Sequence, residues 1–350
     1  MRLSEFDYEL PAASIAQQPL AERDASRMLW LHRSTGACED RMFRELPELL
    51  LPGDLLVAND SRVFPARLRG RLAGGAAVEV LLLQQTSPAQ PELWEAIARP
   101  GRKLPPGARI EFAPGFAAEV LGAGARGARR LRLLAPGGPA AADLAAAIER
   151  HGHVPLPPYI RRGDQPGDRE RYQTVYAQAP GSAAAPTAGL HFTPQMLERL
   201  AARGIEWTTV SLHVGLGTFQ PVESEQIEAH PIHRERFAVG AAAAAALTRA
   251  RRERRRIVAV GTTAARVLET IAPAPGADFA PAAGETALFL YPGRSFQVVE
   301  ALLTNFHAPR STLLMMIAAF AGLAPVRRAY QHALAQGYRF LSYGDCMFIG

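Results

Sequence analysis

The sequence predicts an α/β protein: a layered sheet with helices, carrying a small inserted all-β barrel domain. Three observations support this. Strand–turn–helix units alternate through the second half of the chain, the pattern of a layered α/β domain. After Arg67 short strands follow one another, with Gly and Pro punctuation every eight to twelve residues or so, which suits a barrel. At 350 residues the chain is also too long for one small core. Residues 1–65 and 151–350 therefore read as one discontinuous α/β domain, and residues 66–150 as the insert.

The elements follow in order. The opening reads as helical or mixed. In "PGDLLVANDSRVFPARL", Leu55, Leu56 and Val57 form a short buried strand that ends at Asn59-Asp60-Ser61. "RGRLAGGAAVEVLLLQ", "LWEAIARPGRKLPPGARIEF" and "FAAEVLGAGARGARRLRLL" supply the barrel strands, and "PGGPAAADLAAAIERHG" returns to helix. "TPQMLERLAARG" is a helix with Thr193 as N-cap, Pro194 at its first position and Gly204 as its stop. "IEWTTVSLHV" is a β-branched strand. "GAAAAAALTRARRERRR" is a helix that feeds the strand "IVAV" and the turn Gly261-Thr262-Thr263, before the helix "AARVLETI". Residues 273–284 read as a surface loop and "FQVVEALLTNF" as a strand. "STLLMMIAAFAG" is a helix capped by Ser311 and closed by Gly322.

Composition narrows the function classes. Hydrophobic residues make up 48% of the chain, which excludes dominant disorder. The formal charge of +6 suits an anionic partner, nucleic acid or a phosphorylated substrate. Lysine is nearly absent, so an Arg-for-Lys habit explains the charge equally well. Cys38 and Cys346 are far apart and form no C-x-x-C pair, as expected in a reducing cytosol. "MRLSEFDYELPA" has no apolar signal core, and "LLMMIAAFAGLAPV" is too short to span a bilayer. These features predict a cytoplasmic protein without a membrane partner.

Polar clusters recur where strands hand over to loops or helices: Asn59-Asp60-Ser61-Arg62, "PTAGLHFT" from Pro186, His213 with "GLGTF", "GTT" at 261, and "TNFHAPRST" from Thr304. Open α/β sheets bind ligands beyond the carboxyl ends of their strands, where helix-start amides stabilise anions. Five such loops point to one shared site, although each cluster alone is compatible with a turn, a cap or a core histidine. "GLGTF" fails the dinucleotide fingerprint, because Gln220 stands where the third Gly belongs. His230, His233 and Glu235 in "HPIHRERF" lack the order and spacing of a helical zinc motif, so no metal is expected. "RARRERRR" at 249–256 and the stretch holding Arg161, Arg162, Arg169 and Arg171, interleaved with tyrosines, read either as solvated basic faces or as RNA contacts.

Together, "FDYELP", "IAQQP", "RDASRML", "GDLLVANDSRVFPARL", "PLPPYI", "YQTVYA", "PTAGLHFT", "HVGLGTFQPV", "VGTTAARVLET", "LLTNFHAPRSTLLMMIAAFAG" and "YRFLSYGDCMFIG" resemble the S-adenosylmethionine:tRNA ribosyltransferase-isomerase family of the queuosine pathway. The resemblance runs end to end and is weakest at about 70–150. The Ala run at 241–246, the Arg run after it and Cys346 depart from the usual pattern. It implies a cytosolic, monomeric enzyme with an α/β domain and an inserted barrel. That enzyme moves the ribosyl part of S-adenosylmethionine onto 7-aminomethyl-7-deazaguanine at the tRNA wobble position. Adenine and methionine leave, and the product is epoxyqueuosine in tRNA. S-adenosylmethionine is then a consumed donor, and no prosthetic group is implied.

Such chemistry needs a base for the acidic protons beside the sulfonium, an acid for departing adenine, and groups for the methionine carboxylate and the sulfonium. On those requirements His191 and His213 take the proton transfers, with His307 in reserve. Asp60 or Asp345 holds the sulfonium, the ribose hydroxyls or the attacking amine. Thr187, Gly189, Thr262 and Thr263 bind methionine or ribose oxygens. Asn59, Arg62, Gly215, Gly217, Asn305 and Tyr343 complete the expected substrate-binding set, and Arg161, Arg162, Arg169, Arg251 and Arg254 the RNA contacts. Two other classes stay open on sequence: a non-catalytic RNA-binding protein and an S-adenosylmethionine-dependent tRNA methyltransferase.

Overall fold

The structure is a computed structural model that describes residues 1–87, 89–101, 104–124, 127–215 and 222–350. The chain opens with three short 3-10 turns, then β1 (Arg27–Leu31), β2 (Cys38–Met42), β3 (Leu55–Asn59) and the short β4 (Ser61–Val63). Next come β5 (Arg67–Leu72), β6 (Ala77–Gln85), β7 (Leu93–Arg99), β8 (Arg109–Ala113), β9 (Phe116–Ala123) and β10 (Arg129–Leu134). The chain returns through β11 (Ala179–Ser182), β12 (Glu206–Leu212), β13 (Glu235–Val239), β14 (Ile257–Val260), β15 (Ala282–Thr286), β16 (Ala301–Asn305) and β17 (Cys346–Ile349).

Nine strands form one sheet in the order β15-β13-β12-β3-β14-β16-β17-β1-β2. Its centre, β12-β3-β14-β16, is parallel. Both faces are covered, which is why these strands read as continuous apolar runs. Leu55, Val57, Ile257, Ala259 and Leu302 pack with the helices Ala241–Arg252, Thr262–Thr270, Thr312–Ala321 and Leu323–Ala335. Leu56, Ala58, Val258, Val260 and Leu303 pack on the other face with Phe192, Met196 and Leu200, the last two from the helix Pro194–Ala202.

β5 to β10 close into a six-stranded barrel in the order β10-β7-β6-β5-β8-β9. Alternate residues such as Val78, Val80 and Leu82 point inward. The helix Ala141–His151 packs Leu144, Ala147 and Ile148 into the same core, each large side chain worth about 1.5–3 kcal/mol on burial.

β3 ends at Asn59 as expected, and β4 just beyond it pairs in parallel with β11. Four local expectations are corrected. Only Ala301–Asn305 of "FQVVEALLTNF" is strand, and part of the 273–284 loop belongs to β15. The arginine-rich helix stops at Arg252, and Arg254 is left-handed at φ 54°. Gly261, at φ 91°, is the N-cap that the threonines were expected to supply, because the strand-to-helix turn needs a conformation glycine tolerates. Among the described residues no single helix is long and apolar enough to cross a membrane.

Candidate active site

The parallel strands β3, β12, β14 and β16 end at one edge of the sheet, at Asn59, Leu212, Val260 and Asn305. β12 lies on one side of β3 and β14 on the other, so the chain changes direction there, which opens a ligand crevice. A cavity of about 170 Å³ occupies that edge, lined by Thr187, Gly261, Thr262, Thr263, Asn305 and His307 among others. Two helices start at it: Thr262–Thr270, capped by the Gly261 backbone, and Thr312–Ala321, capped by Ser311 Oγ. The positive ends of their dipoles favour an anionic group in the cavity.

Asn305 is the most constrained polar side chain here. Its Nδ2 donates to Leu341 O at 3.3 Å and Asp345 O at 3.4 Å, and faces His191 Nε2 at 3.3 Å. Three acceptors around a nitrogen with two hydrogens, one of them shared, fix the amide orientation. Oδ1 is left buried with no hydrogen-bond partner among the described residues, in a residue only 2% exposed. His191 Nε2 must then accept, so Nδ1 carries the proton and donates to Ser26 Oγ at 2.7 Å. The ring lies beside Phe43, and burial pushes its pKa down to about 3. His191 is thus neutral, enclosed, and in touch with the cavity through Asn305.

His307 lines the cavity, with Nε2 2.8 Å from Thr304 Oγ1, and burial also lowers its pKa to about 3. His213 lies in a second, larger cleft of about 420 Å³ between the barrel and the sheet. Burial lowers the His213 pKa, the Arg236 charge adds to that, and Asp60 opposes it. Val214 lines both spaces, so cavity and cleft are neighbours.

The remaining expected residues are dispersed. Asn59 Oδ1 accepts from Ser61 N and Leu212 N, which clips the ends of β3 and β12 together. Asp60 accepts from Thr209 Oγ1 at 3.0 Å and Ser211 Oγ at 2.6 Å, and Arg62 is exposed. Asp345 is occupied by the backbone amides of Arg27 and Arg339, at 2.9 and 2.8 Å. Tyr343 donates to Asp168 Oδ1 at 2.8 Å. Gly189 is buried beneath Tyr176, whose hydroxyl a Cβ would meet at 2.0 Å, so packing explains this glycine. Gly215 donates its N–H to Glu235 Oε1 at 3.1 Å, and Gly217 lies outside the described residues.

Of the expected RNA contacts, Arg162 is instead committed to a two-pronged ion pair with buried Asp168, at 2.6 and 2.9 Å. Arg169 holds Glu149 and Gly152 O. Arg161 and Arg254 are exposed, as is Arg251, which reaches Ala277 O. Among the described residues no group of three or more potential ligands gathers around a metal position. His230 packs edge-on to Phe289, and Glu235 pairs with Arg266.

Sequence reasoning missed that last pair. Glu235 Oε2 lies 2.5 Å from Arg266 Nη1, and both residues are buried. The two meet because β13 runs antiparallel to β12 and begins beside the sheet edge where the helix Thr262–Thr270 starts. The available signal was an arginine flanked by aliphatic residues in "AARVLET".

A profile of the family described as "Queuosine biosynthesis protein" matches residues 3–349. The chain belongs to that family. It is 51% identical to the S-adenosylmethionine:tRNA ribosyltransferase-isomerase of Solibacter usitatus, with all of both chains covered. It is 52% identical to the enzyme of the same name from Acidithiobacillus ferrooxidans, covering all of this chain and 98% of that one. A crystal structure of an S-adenosylmethionine tRNA ribosyltransferase from Thermotoga maritima superposes with a TM-score of 0.57 at 39% identity, over 99% of this chain and 100% of the other.

Proposed function

We propose that this protein transfers the ribosyl part of S-adenosylmethionine to 7-aminomethyl-7-deazaguanine at the tRNA wobble position and isomerises it, giving epoxyqueuosine-tRNA. The carrying observation is the opposed chemistry of the sheet-edge cavity. The unpaired Asn305 Oδ1 wants a donor such as an ammonium, while the helix start at Thr262 and Thr263 wants an anion. The zwitterionic methionine end of S-adenosylmethionine supplies both. Thr187 lines the same space and suits its oxygens. S-adenosylmethionine is the consumed donor, and the protein works as a monomer.

The sulfonium acidifies the neighbouring 5′ protons, so the first task is proton removal. His213 suits it, because its lowered pKa keeps the imidazole neutral near pH 7 and it stands where the cleft adjoins the cavity. Adenine then leaves with the electron pair of its glycosidic bond and takes up a proton, which His213, protonated in the first step, can return, while His307 stays a neutral lining group of the cavity. The pair left on the 5′ carbon forms a bond to the 1′ carbon as adenine departs. The substrate amine, neutral when it attacks, bonds to the 1′ carbon and loses a proton as the ring oxygen's bond there breaks. That oxygen bonds to the 5′ carbon to close the epoxide as the carbon–sulfur bond breaks with its pair going to sulfur, and methionine leaves with its methyl group. His191 acts as a positioning residue that holds Asn305.

The test is incubation with S-adenosylmethionine and tRNA bearing the aminomethyl-deazaguanine. Adenine and methionine released in step with a tRNA mass increase support the proposal. S-adenosylhomocysteine instead marks a methyltransferase. Binding of tRNA that ignores S-adenosylmethionine and yields no adenine marks a non-catalytic RNA-binding protein.

A further inference from the structure

We infer that the cleft between barrel and sheet takes one nucleotide of the tRNA anticodon loop, swung out of its stack. In this arrangement the base lies on the outer face of β6 and β7, and the flanking phosphates lie on Arg234 and Arg236. The inference rests on the tRNA substrate proposed above.

A barrel strand facing water alternates apolar inside with polar outside. On β6 and β7 the inward positions are filled by Val78, Val80, Leu82, Trp94, Ala96 and Ala98. Yet the outer face carries Leu83 and Ile97, which line the cleft with Phe64. The strand register also shifts here, with Leu82 opposite Ala96 but Gln84 opposite Glu95. This bulge lets the adjacent residues Leu83 and Gln84 share one partner position, a device found where a strand must re-aim side chains beside a site. Gln84 Nε2 donates to Glu95 Oε2 at 3.2 Å, and both residues line the cleft. One wall therefore offers an apolar surface of Phe64, Leu83 and Ile97 edged by an amide and a carboxylate, which suits the face and edge of a nucleobase.

The opposite wall is His213, Gly215, Arg234 and Arg236. Both arginines are exposed, and neither has an ion-pair partner among the described residues. Arginines so placed suit phosphates, which fix register without reading sequence. The volume of about 420 Å³ accommodates one base and excludes a duplex. Val214 then puts that base next to the cavity assigned to the ribosyl donor.

The test uses the full chain and an unmodified anticodon stem-loop RNA, with binding followed by fluorescence anisotropy across a salt series. Arg234→Gln/Arg236→Gln should weaken binding at least tenfold and lower the salt slope by about two. Leu83→Asp should weaken binding at least tenfold while S-adenosylmethionine affinity stays within about twofold of wild type, which also reports an intact fold. A photoreactive thiouridine at the wobble position should cross-link within residues 81–99 or 213–236. Wild-type RNA affinity in these variants, or a cross-link confined elsewhere, overturns the inference. The readout is binding, so it is separable from turnover: a wild type that releases no adenine sinks the proposed reaction, whereas weakened RNA binding in the variants still supports the cleft.

Discussion

His191 Nε2 accepts from Asn305 Nδ2 across 3.3 Å, and the Asn305 carbonyl oxygen is left buried, without a hydrogen-bond partner among the described residues, on a residue that lines the sheet-edge cavity. An amide held from behind in this way is preorganised for a ligand donor and loses little entropy on binding. His191→Ala should therefore raise KM for S-adenosylmethionine about tenfold, the worth of about 1.4 kcal/mol, with kcat changed only a few-fold. The pH profile of kcat should keep its shape, because His191 does not titrate near neutrality. His191→Gln, whose side-chain carbonyl can accept from Asn305, should recover most of the lost affinity.

Two buried neutral imidazoles make folding pH-dependent. His191 and His307 each have a pKa of about 3 when folded, against an ordinary value of 6.5. The unfolded chain therefore binds more protons below pH 6.5, so stability is complete above that value and is lost as pH falls towards 3. Between pH 7 and 5 the loss should be on the order of 2 kcal/mol per histidine. Urea midpoints at the two pH values check this, and His307→Asn should flatten the difference by about half.

His213 carries the proposed proton removal, so His213→Ala should lower the rate of adenine release by about 10²- to 10⁴-fold. Asp60 raises the His213 pKa through its charge. Asp60→Asn should therefore shift the acidic limb of the rate profile to lower pH, measured as adenine release from pH 5 to 8. A limb that stays in place would separate His213 from that titration.

The Glu235–Arg266 pair is buried on both sides, so removing one partner strands a charge. Glu235→Ala should cost about 3–5 kcal/mol in urea unfolding, and Glu235→Gln/Arg266→Met should regain most of it. The same carboxylate accepts from Gly215 N, so the single variant should also weaken RNA binding by loosening the wall of the cleft.

Much of the fold was legible because it rests on local signals. Apolar runs ended at Asn59 and Asn305, Thr193 and Ser311 cap the helices expected of them, and Gly/Pro punctuation marked the barrel. The polar clusters at 187, 262 and 305 line one cavity, where β14 and β16 end together. What stayed hidden depends on register across long separations. Asn305 meets His191 over 114 residues, which turns an expected proton-transfer group into a neighbour of the cavity. The Tyr343–Asp168 contact spans 175 residues, and a local turn commits Arg162 to the same carboxylate. Residue type alone cannot separate a polar group facing a ligand from one that closes the core.

Isotope tracing tests the central claim most directly. Wild-type protein is supplied with tRNA bearing the aminomethyl-deazaguanine and with S-adenosylmethionine labelled either in the ribosyl carbons or in the methyl group. Ribosyl transfer predicts that the tRNA nucleoside gains every ribosyl carbon and no methyl label, with the methyl recovered in methionine. Methyl label in the tRNA, or ribosyl label that never leaves the small-molecule fraction, contradicts it.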